Sequence, residues 1–252
     1  MGQHFLTDNN IARNITACLS DSYPLVCEIG PGTGILTRSL LERENLKALT
    51  LIEIDSESVT YLKSHFHDPR LRILEADFLK SPMGEIMEGP FALIGNFPYN
   101  ISSQIFFKVL ENRFQISEVV GMIQKEVAER IAAPPGNKTY GILSVLLQAW
   151  YDIEYCFTVN ENVFFPAPKV KSAVIRLRRN NTSKLDCDEN LFFKVVKAGF
   201  GQRRKTLRNA VKQLSGNLKQ DHPLLSRRAE QLSVDDFVEL TRFVTRCAFP
   251  TT

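Results

Sequence analysis

The sequence predicts an α/β protein built on a parallel sheet and followed by a small all-α C-terminal domain. Three observations carry that reading. From residue 25 to residue 123, short apolar runs of strand character alternate with segments of helical period. The first of those runs, 25–29, passes directly into Gly30-Pro31-Gly32-Thr33-Gly34 and then a helix. The charge balance also changes late in the chain. From Asn190 onward there are 12 Lys and Arg against five acids, a balance of +7, which leaves −4 for residues 1–189 of a chain whose net charge is +3. The expected domains are 1–179 and 180–252, joined by the polar stretch 180–189.

Taken in order, residues 8–20 place Ile11, Ile15 and Leu19 on one helical face, with Asp8 positioned to cap. After the strand at 25–29, the glycine-rich turn leads into a helix whose apolar side is Leu36, Leu40 and Leu41. A strand at 48–55, a helix at 56–66 and a strand at 70–76 follow. Phe91-Ala92-Leu93-Ile94 reads as a buried strand, residues 101–110 as a helix capped by Ser102 or Ser103, and 118–123 as another apolar strand. Pro134 to Lys138 forms a polar, mobile loop. A leucine-rich helix at 141–150 and two strands, 153–159 and 172–178, complete the first domain. The remainder reads as short helices, one of them N-capped by Ser233.

At 252 residues, 44% hydrophobic and 23% charged, the composition is that of an ordinary globular protein. No apolar stretch approaches the roughly 20 residues of a membrane span, and nothing N-terminal resembles a signal peptide. The five cysteines (18, 27, 156, 187 and 247) form no C-x-x-C pair, so reduced and mostly buried thiols in a cytoplasmic protein are expected. His65-Phe66-His67 lacks a Cys or acidic pair at ligand spacing, and no metal is expected. The basic C-terminal region suggests a partner carrying phosphates, against the plainer alternative of a solvated charged surface.

Candidate site residues collect at strand ends. The glycines of the G-x-G-x-G turn let a ligand approach the backbone, although a tight structural turn explains many such sequences. Glu53 and Asp55 end the next strand about 20 residues on, where an acid can accept from both ribose hydroxyls. Asp77 ends the one after; it can receive an adenine amino group, or cap a helix. Gly95-Asn96-Phe97-Pro98-Tyr99-Asn100 supplies a side-chain amide acceptor, carbonyls directed by proline and a flat π face, the groups that hold an aromatic ring bearing an exocyclic amine. An isolated Asn-x-Pro-Tyr is equally an ordinary strand-ending loop. Glu28, Gly30, Gly32, Glu53, Asp77 and Asn96 all fall at the C-terminal ends of successive strands, the edge where parallel sheets bind ligands, and together they outline a nucleoside pocket.

With those residues in view, the chain resembles the rRNA adenine N6-dimethyltransferases of the KsgA type, bacterial branch, over residues 2–242. The resemblance rests on Gly2-Gln3-His4-Phe5-Leu6, on Glu28-Ile29-Gly30-Pro31-Gly32-Thr33-Gly34 and on Gly95-Asn96-Phe97-Pro98-Tyr99-Asn100-Ile101-Ser102. It also rests on Phe164-Phe165-Pro166-Ala167-Pro168-Lys169-Val170 and on Gln202-Arg203-Arg204-Lys205-Thr206-Leu207-Arg208-Asn209. It implies a Rossmann-like, S-adenosylmethionine-dependent methyltransferase that dimethylates N6 of two adjacent adenosines in the 3′-terminal hairpin loop of 16S rRNA. The implied partner is that rRNA within the small ribosomal subunit or its precursor, with no membrane role and a monomeric enzyme.

By the same resemblance, His4, Leu6, Gly30, Glu53, Asp77 and Asn96 take cofactor-contacting positions. Asn96, Phe97, Pro98 and Tyr99 form the catalytic motif, Tyr99 and Phe164 stack on the target base, and Arg203, Arg204, Lys205 and Arg208 contact RNA. His4 stands where many members have Asn, and Phe97 where Leu is common. Alternatives are a related methyltransferase acting on large-subunit rRNA, disfavoured by residues 202–209, and a non-catalytic assembly factor. A nicotinamide dehydrogenase is disfavoured by the glycine spacing.

Overall fold

The computed structural model describes residues 4–215 and 220–248; Gly2 and Gln3 of the N-terminal motif lie outside them, as does Phe249 at the end of the last helical pattern. The chain forms two compact units, Met1–Ala128 with Asp152–Arg179, and Glu129–Tyr151 with Asn180–Thr252. The second unit thus takes in residues 129–151 as well as the segment after 179, because the leucine-rich helix packs on C-terminal helices.

In the first unit, β1 (Phe5–Leu6) precedes α1 (Asn9–Ala17), and Asp8 caps α1 by accepting from the N–H groups of Asn10 and Ile11. The alternation then runs β2 (Leu25–Ile29), α2 (Ile35–Leu41), β3 (Ala48–Glu53), α3 (Ser56–His65), β4 (Leu71–Glu75), a short α4 (Met83–Ile86), β5 (Phe91–Asn96), α5 (Ser102–Glu111) and β6 (Ile116–Gln124). Helix α6 (Lys125–Ala132) follows β6, and β7 (Tyr151–Val159), β8 (Phe164–Phe165) and β9 (Ser172–Arg179) complete the strands.

Seven strands form one sheet in the order β4-β3-β2-β5-β6-β9-β7. The neighbours from β4 to β6 pair in parallel, whereas β9 runs antiparallel to β6. The sheet is therefore mixed rather than wholly parallel: alternation with helices specifies the strands from β2 to β6, whereas β9 follows β7 with no α-helix between them and returns antiparallel to β6. The order reverses between β2 and β5, whose register sets Ile29 beside Gly95. That reversal opens the crevice in which doubly wound sheets bind ligands. A separate two-stranded ribbon pairs β1 with β8, Leu6 opposite Phe164 and Phe5 opposite Phe165.

Two positions in the turn between β2 and α2 show why the glycines are there. Gly34 adopts φ +77°, and a Cβ on it would sit 2.5 Å from the Phe66 ring. Gly32, at φ +55°, would bring a Cβ to 2.9 Å from Phe5. No side chain caps α5, contrary to expectation: Ser102 Oγ turns back to donate to the Tyr99 carbonyl at 3.2 Å. All five cysteines are free thiols, but only Cys27 is buried. No helix among the described residues is long and apolar enough to cross a membrane.

The second unit holds α7 (Ile142–Gln148), α8 (Glu189–Gly201), α9 (Leu207–Ser215) and α10 (Val234–Ala248). Its core is aromatic: Trp150 stacks on Phe193 at 5.9 Å and meets Phe192 edge-on, while Phe200 stacks on Phe237 at 6.0 Å. Ser233 and Asp236 bond reciprocally at the start of α10, as the Ser233 cap predicts. The loop at 134–138 is tied at two points, by Gly136 N–H to the Glu230 carbonyl at 2.7 Å and by Arg203 to the Lys138 carbonyl.

One buried charge anchors the first unit. Glu118, fully buried in β6, accepts from Arg176 Nε at 2.6 Å, from Ser20 Oγ at 2.7 Å and from Ser20 N–H. Removing one member of such a pair strands the other. Glu118→Ala is expected to lower the unfolding free energy by about 3–5 kcal/mol, read as a lower denaturant midpoint at unchanged slope.

Candidate active site

The crevice between the ends of β2 and β5 is a cleft of about 1050 Å³, its open mouth included. Its lining draws together His4, Leu6, Gly30, Glu53, Asp77, Asn96, Phe97, Pro98 and Tyr99, as the sequence predicts. Phe164 does not line it. That ring is 5% exposed and belongs to the core cluster that also holds Leu6, its partner across the ribbon, so it presents no open face to a base. Of the Phe164–Phe165 pair the exposed ring is Phe165, at 73%.

Each wall of the cleft has a distinct chemistry. Gly30 has φ +62°, and a Cβ there would meet no atom within 4 Å, because it would project into open space. Glu53 is buried. One carboxylate oxygen accepts from Ile54 and Asp55 N–H at 2.9 and 3.0 Å, and the other from Gly32 N–H at 3.1 Å. Three main-chain donors thus fix an anion beside the glycine turn and leave about one of its roughly four lone-pair sites, on the oxygen bonded to Gly32, for a ligand hydroxyl. Asp55 caps α3 through Ser58 N–H at 2.8 Å. Asp77 closes its own turn: Oδ1 accepts from Leu79 N–H at 2.9 Å, and Oδ2 lies 3.5 Å from Lys80 Nζ. The turn is held from outside by Lys108 of α5, which donates to the Leu79 and Ser81 carbonyls at 2.9 and 2.6 Å.

At the end of β5, Asn96 Nδ2 donates to the His4 carbonyl at 3.0 Å. A carbonyl can only accept, so this partner assigns the amide orientation and turns Oδ1 into the acceptor available to a ligand. His4 is itself fixed, its Nδ1–H donating to the Pro166 carbonyl at 2.7 Å. Phe97 points the opposite way: its ring is fully buried against Phe106, and its N–H donates to the Met122 carbonyl at 3.0 Å. Tyr99 is part-buried, its hydroxyl 2.6 Å from Ser172 Oγ; loss of solvent raises its pKa, offset in part by that hydrogen bond. Its ring lies 5.7 Å from the His4 ring.

Sequence reasoning passed over two residues here. Ile54, 60% exposed, lines the cleft as an apolar face beside the Glu53 carboxylate; its signal is an isoleucine set between two acids at a strand end. Ser172 carries no pattern of its own and acquires its role by meeting Tyr99 across the fold.

The basic residues of the second unit occupy the turn between α8 and α9 and the first turn of α9. Arg203, Arg204, Lys205 and Arg208 are all exposed. Arg208 pairs with Asp221, whose carboxyl is held below its usual range first by the His222 N–H and then by the Arg208 guanidinium.

The cleft's residues fit an adenosine-bearing cofactor: main-chain room at Gly30, an anchored acid at Glu53, and an acid at Asp77. Fold and cleft together define a Rossmann-like methyltransferase of the S-adenosylmethionine-dependent class. A family model described as ribosomal RNA adenine dimethylase matches residues 1–246. The ribosomal RNA small subunit methyltransferase A of Cytophaga hutchinsonii is 57% identical over 248 residues, which cover 97% of this chain and 96% of that protein. Among solved structures, a dimethyladenosine transferase from Plasmodium falciparum superposes with a TM-score of 0.80 at 25% identity, covering 98% of this chain and 99% of that one. The 23S rRNA methyltransferase ErmE superposes with a TM-score of 0.65 at 27% identity, covering 94% and 99%. This chain belongs to the ribosomal RNA adenine dimethylase family.

One group in the cleft makes stability depend on pH. Glu28 is buried and its carboxyl receives a hydrogen bond from Thr37 Oγ1 at 2.7 Å; burial pushes its pKa up to about 8, with the nearby Glu53 charge adding to the rise. The folded state therefore holds a proton that the unfolded chain releases near its ordinary value of 4.5. The contribution is complete below that value and is lost as pH rises through about 8. Glu28→Gln is expected to flatten the fall in unfolding free energy between these limits and to be the more stable protein at the alkaline end, read by denaturation across pH.

Proposed function

We propose that this protein transfers methyl groups from S-adenosylmethionine to N6 of two adjacent adenosines near the 3′ end of 16S rRNA in the small ribosomal subunit, dimethylating each. The observation that carries the reading is the orientation of Asn96, whose amide nitrogen is committed to the His4 carbonyl while its oxygen remains as an acceptor in the cleft. The small-subunit assignment is supported by the 57% identity to a small subunit methyltransferase A, against 27% to ErmE.

S-adenosylmethionine supplies an electrophilic methyl carbon on a sulfonium. Glu53 would hold the ribose by accepting from a hydroxyl and Asp77 would accept from the adenine amine, with Ile54 offering an apolar face beside them. His4, Leu6 and Gly30 contact the remainder. N6 of the target adenine is a poor nucleophile because its lone pair is conjugated into the ring. The Asn96 oxygen, with the Phe97 carbonyl, favours a more tetrahedral amine and the positive charge that grows on it as the bond forms. Pro98 stiffens the turn that directs these acceptors, so the site chiefly aligns reactants. No general base is needed in the transition state, since the product ammonium is acidic enough to lose its proton afterwards. The adenine must leave its stack to enter, and Tyr99 offers it a part-buried aromatic face worth about 1–3 kcal/mol. Arg203, Arg204, Lys205 and Arg208 supply phosphate contacts.

The reading is tested by supplying labelled S-adenosylmethionine and undermethylated small subunits, then mapping the label. Label on the adjacent adenosines is expected; label confined to large-subunit rRNA overturns it. Asn96→Ala should reduce transfer by at least about a hundredfold while calorimetry still detects cofactor binding. Replacing Arg203, Arg204 and Lys205 together by Ala should weaken RNA binding and lower the slope of log affinity against log salt by about 2–3. An unchanged slope would make that turn a structural element only.

A further inference from the structure

The segment from Phe165 to Lys171 has no part in the mechanism above, yet both of its ends are bonded to the site. At one end Phe165 lies opposite Phe5 in the ribbon, and the Pro166 carbonyl accepts from His4. At the other, Ser172 meets the Tyr99 hydroxyl, and the Lys171 carbonyl accepts from Lys125 N–H at 2.9 Å. Pro166 and Pro168 fix two φ angles in the short stretch between. Phe165 and Val170 are both among the exposed large hydrophobic side chains of the protein, at 73% and 46%, and Lys169 and Lys171 are exposed with them. No acidic residue occurs from Asn162 to Leu185.

An apolar ring and two ammonium groups held out on a stiff strap match single-stranded nucleic acid: bases stack on aromatic faces, and lysines track the phosphates beside them. A rigid strap also loses little conformational freedom when its partner arrives. Phe164, buried behind it, cannot serve. Resting on the proposed function, we infer that Phe165, Lys169 and Lys171 form a second RNA contact, separate from the basic turn at 203–205. Phe165 stacks on an unpaired nucleotide flanking the target adenosine, and the two lysines hold its phosphates. The strap then couples the grip on the flanking strand to the catalytic amide, because the His4 residue bonded to Pro166 is the one whose carbonyl orients Asn96.

The test uses the full chain with undermethylated small subunits and, separately, naked small-subunit rRNA. Phe165→Ala is expected to weaken binding to both by about tenfold and to raise KM for RNA by a similar factor, with kcat much less affected. Cofactor affinity by calorimetry should stay at the wild-type value, and Phe165→Tyr should restore binding. Lys169→Ala with Lys171→Ala should lower the salt slope by about 1.4. Wild-type RNA affinity in Phe165→Ala overturns the inference, as does loss confined to assembled subunits, which would assign the contact to a ribosomal protein. Loss of cofactor affinity would overturn it too, by making Phe165 a support of the pocket. Wild-type protein that binds rRNA without methylating the small subunit refutes the proposed function alone; the binding comparison still decides the strap.

Discussion

Everything at the cleft edge of β5 depends on how the ring of Phe97 is seated. Gly95 and Gly121 lie side by side on adjacent strands, and a Cβ on Gly121 would come within 2.7 Å of that ring. On Gly95 a Cβ would strike the Ile29 carbonyl at 2.5 Å, so the strand carrying the motif also approaches the glycine-turn strand unusually closely. The two glycines leave a slot, the ring fills it, and the residues on either side are forced outward at a defined height. Asn96 and Tyr99 face the cleft because Phe97 faces the core. In a close-packed interior such seating is stiff, since a displaced ring has nowhere to relax.

Around that anchor, hydrogen bonds settle the chemistry. Asn96, His4 and Pro166 form a chain in which each partner removes an ambiguity: the carbonyl of His4 decides which end of the amide faces the cleft, and the carbonyl of Pro166 decides which way the imidazole turns. Glu53 is treated likewise by three backbone donors. These groups are positioned before any ligand arrives, which is the condition under which electrostatic stabilisation costs no reorganisation during reaction.

Much of this was legible in the residues. The strand–glycine–helix turn, the acids at successive strand ends and the Asn-Phe-Pro-Tyr motif each announce themselves by local pattern, and Asp8 and Ser233 cap where their spacing says. Phe164 shows the limit. Two adjacent phenylalanines in a proline-rich stretch carry no signal for which faces inward; pairing with Leu6 across the ribbon decides it, and β1 is only two residues long. Ser172 and Lys108 act on partners 73 and 29 residues away, beyond the reach of any periodicity. Ser102 has the residue type of a cap, but its hydroxyl finds the Tyr99 carbonyl instead.

The reversed direction of β9 has a consequence for how such a site can diversify. Because it runs against β6, its first residue, Ser172, lies opposite Gln124, at the edge where the parallel strands end. A parallel strand in its place would deliver its leading segment to the far side of the sheet. The reversal divides the edge into two provinces. One is written by the loops after β2, β3 and β4, which bring Gly30, Glu53 and Asp77 to the cleft. The other is written by the approach to β9, whose length and side chains can change while the first stays intact. On the function proposed above, substrate choice and cofactor choice would thereby rest on separate stretches of chain, free to be altered one at a time.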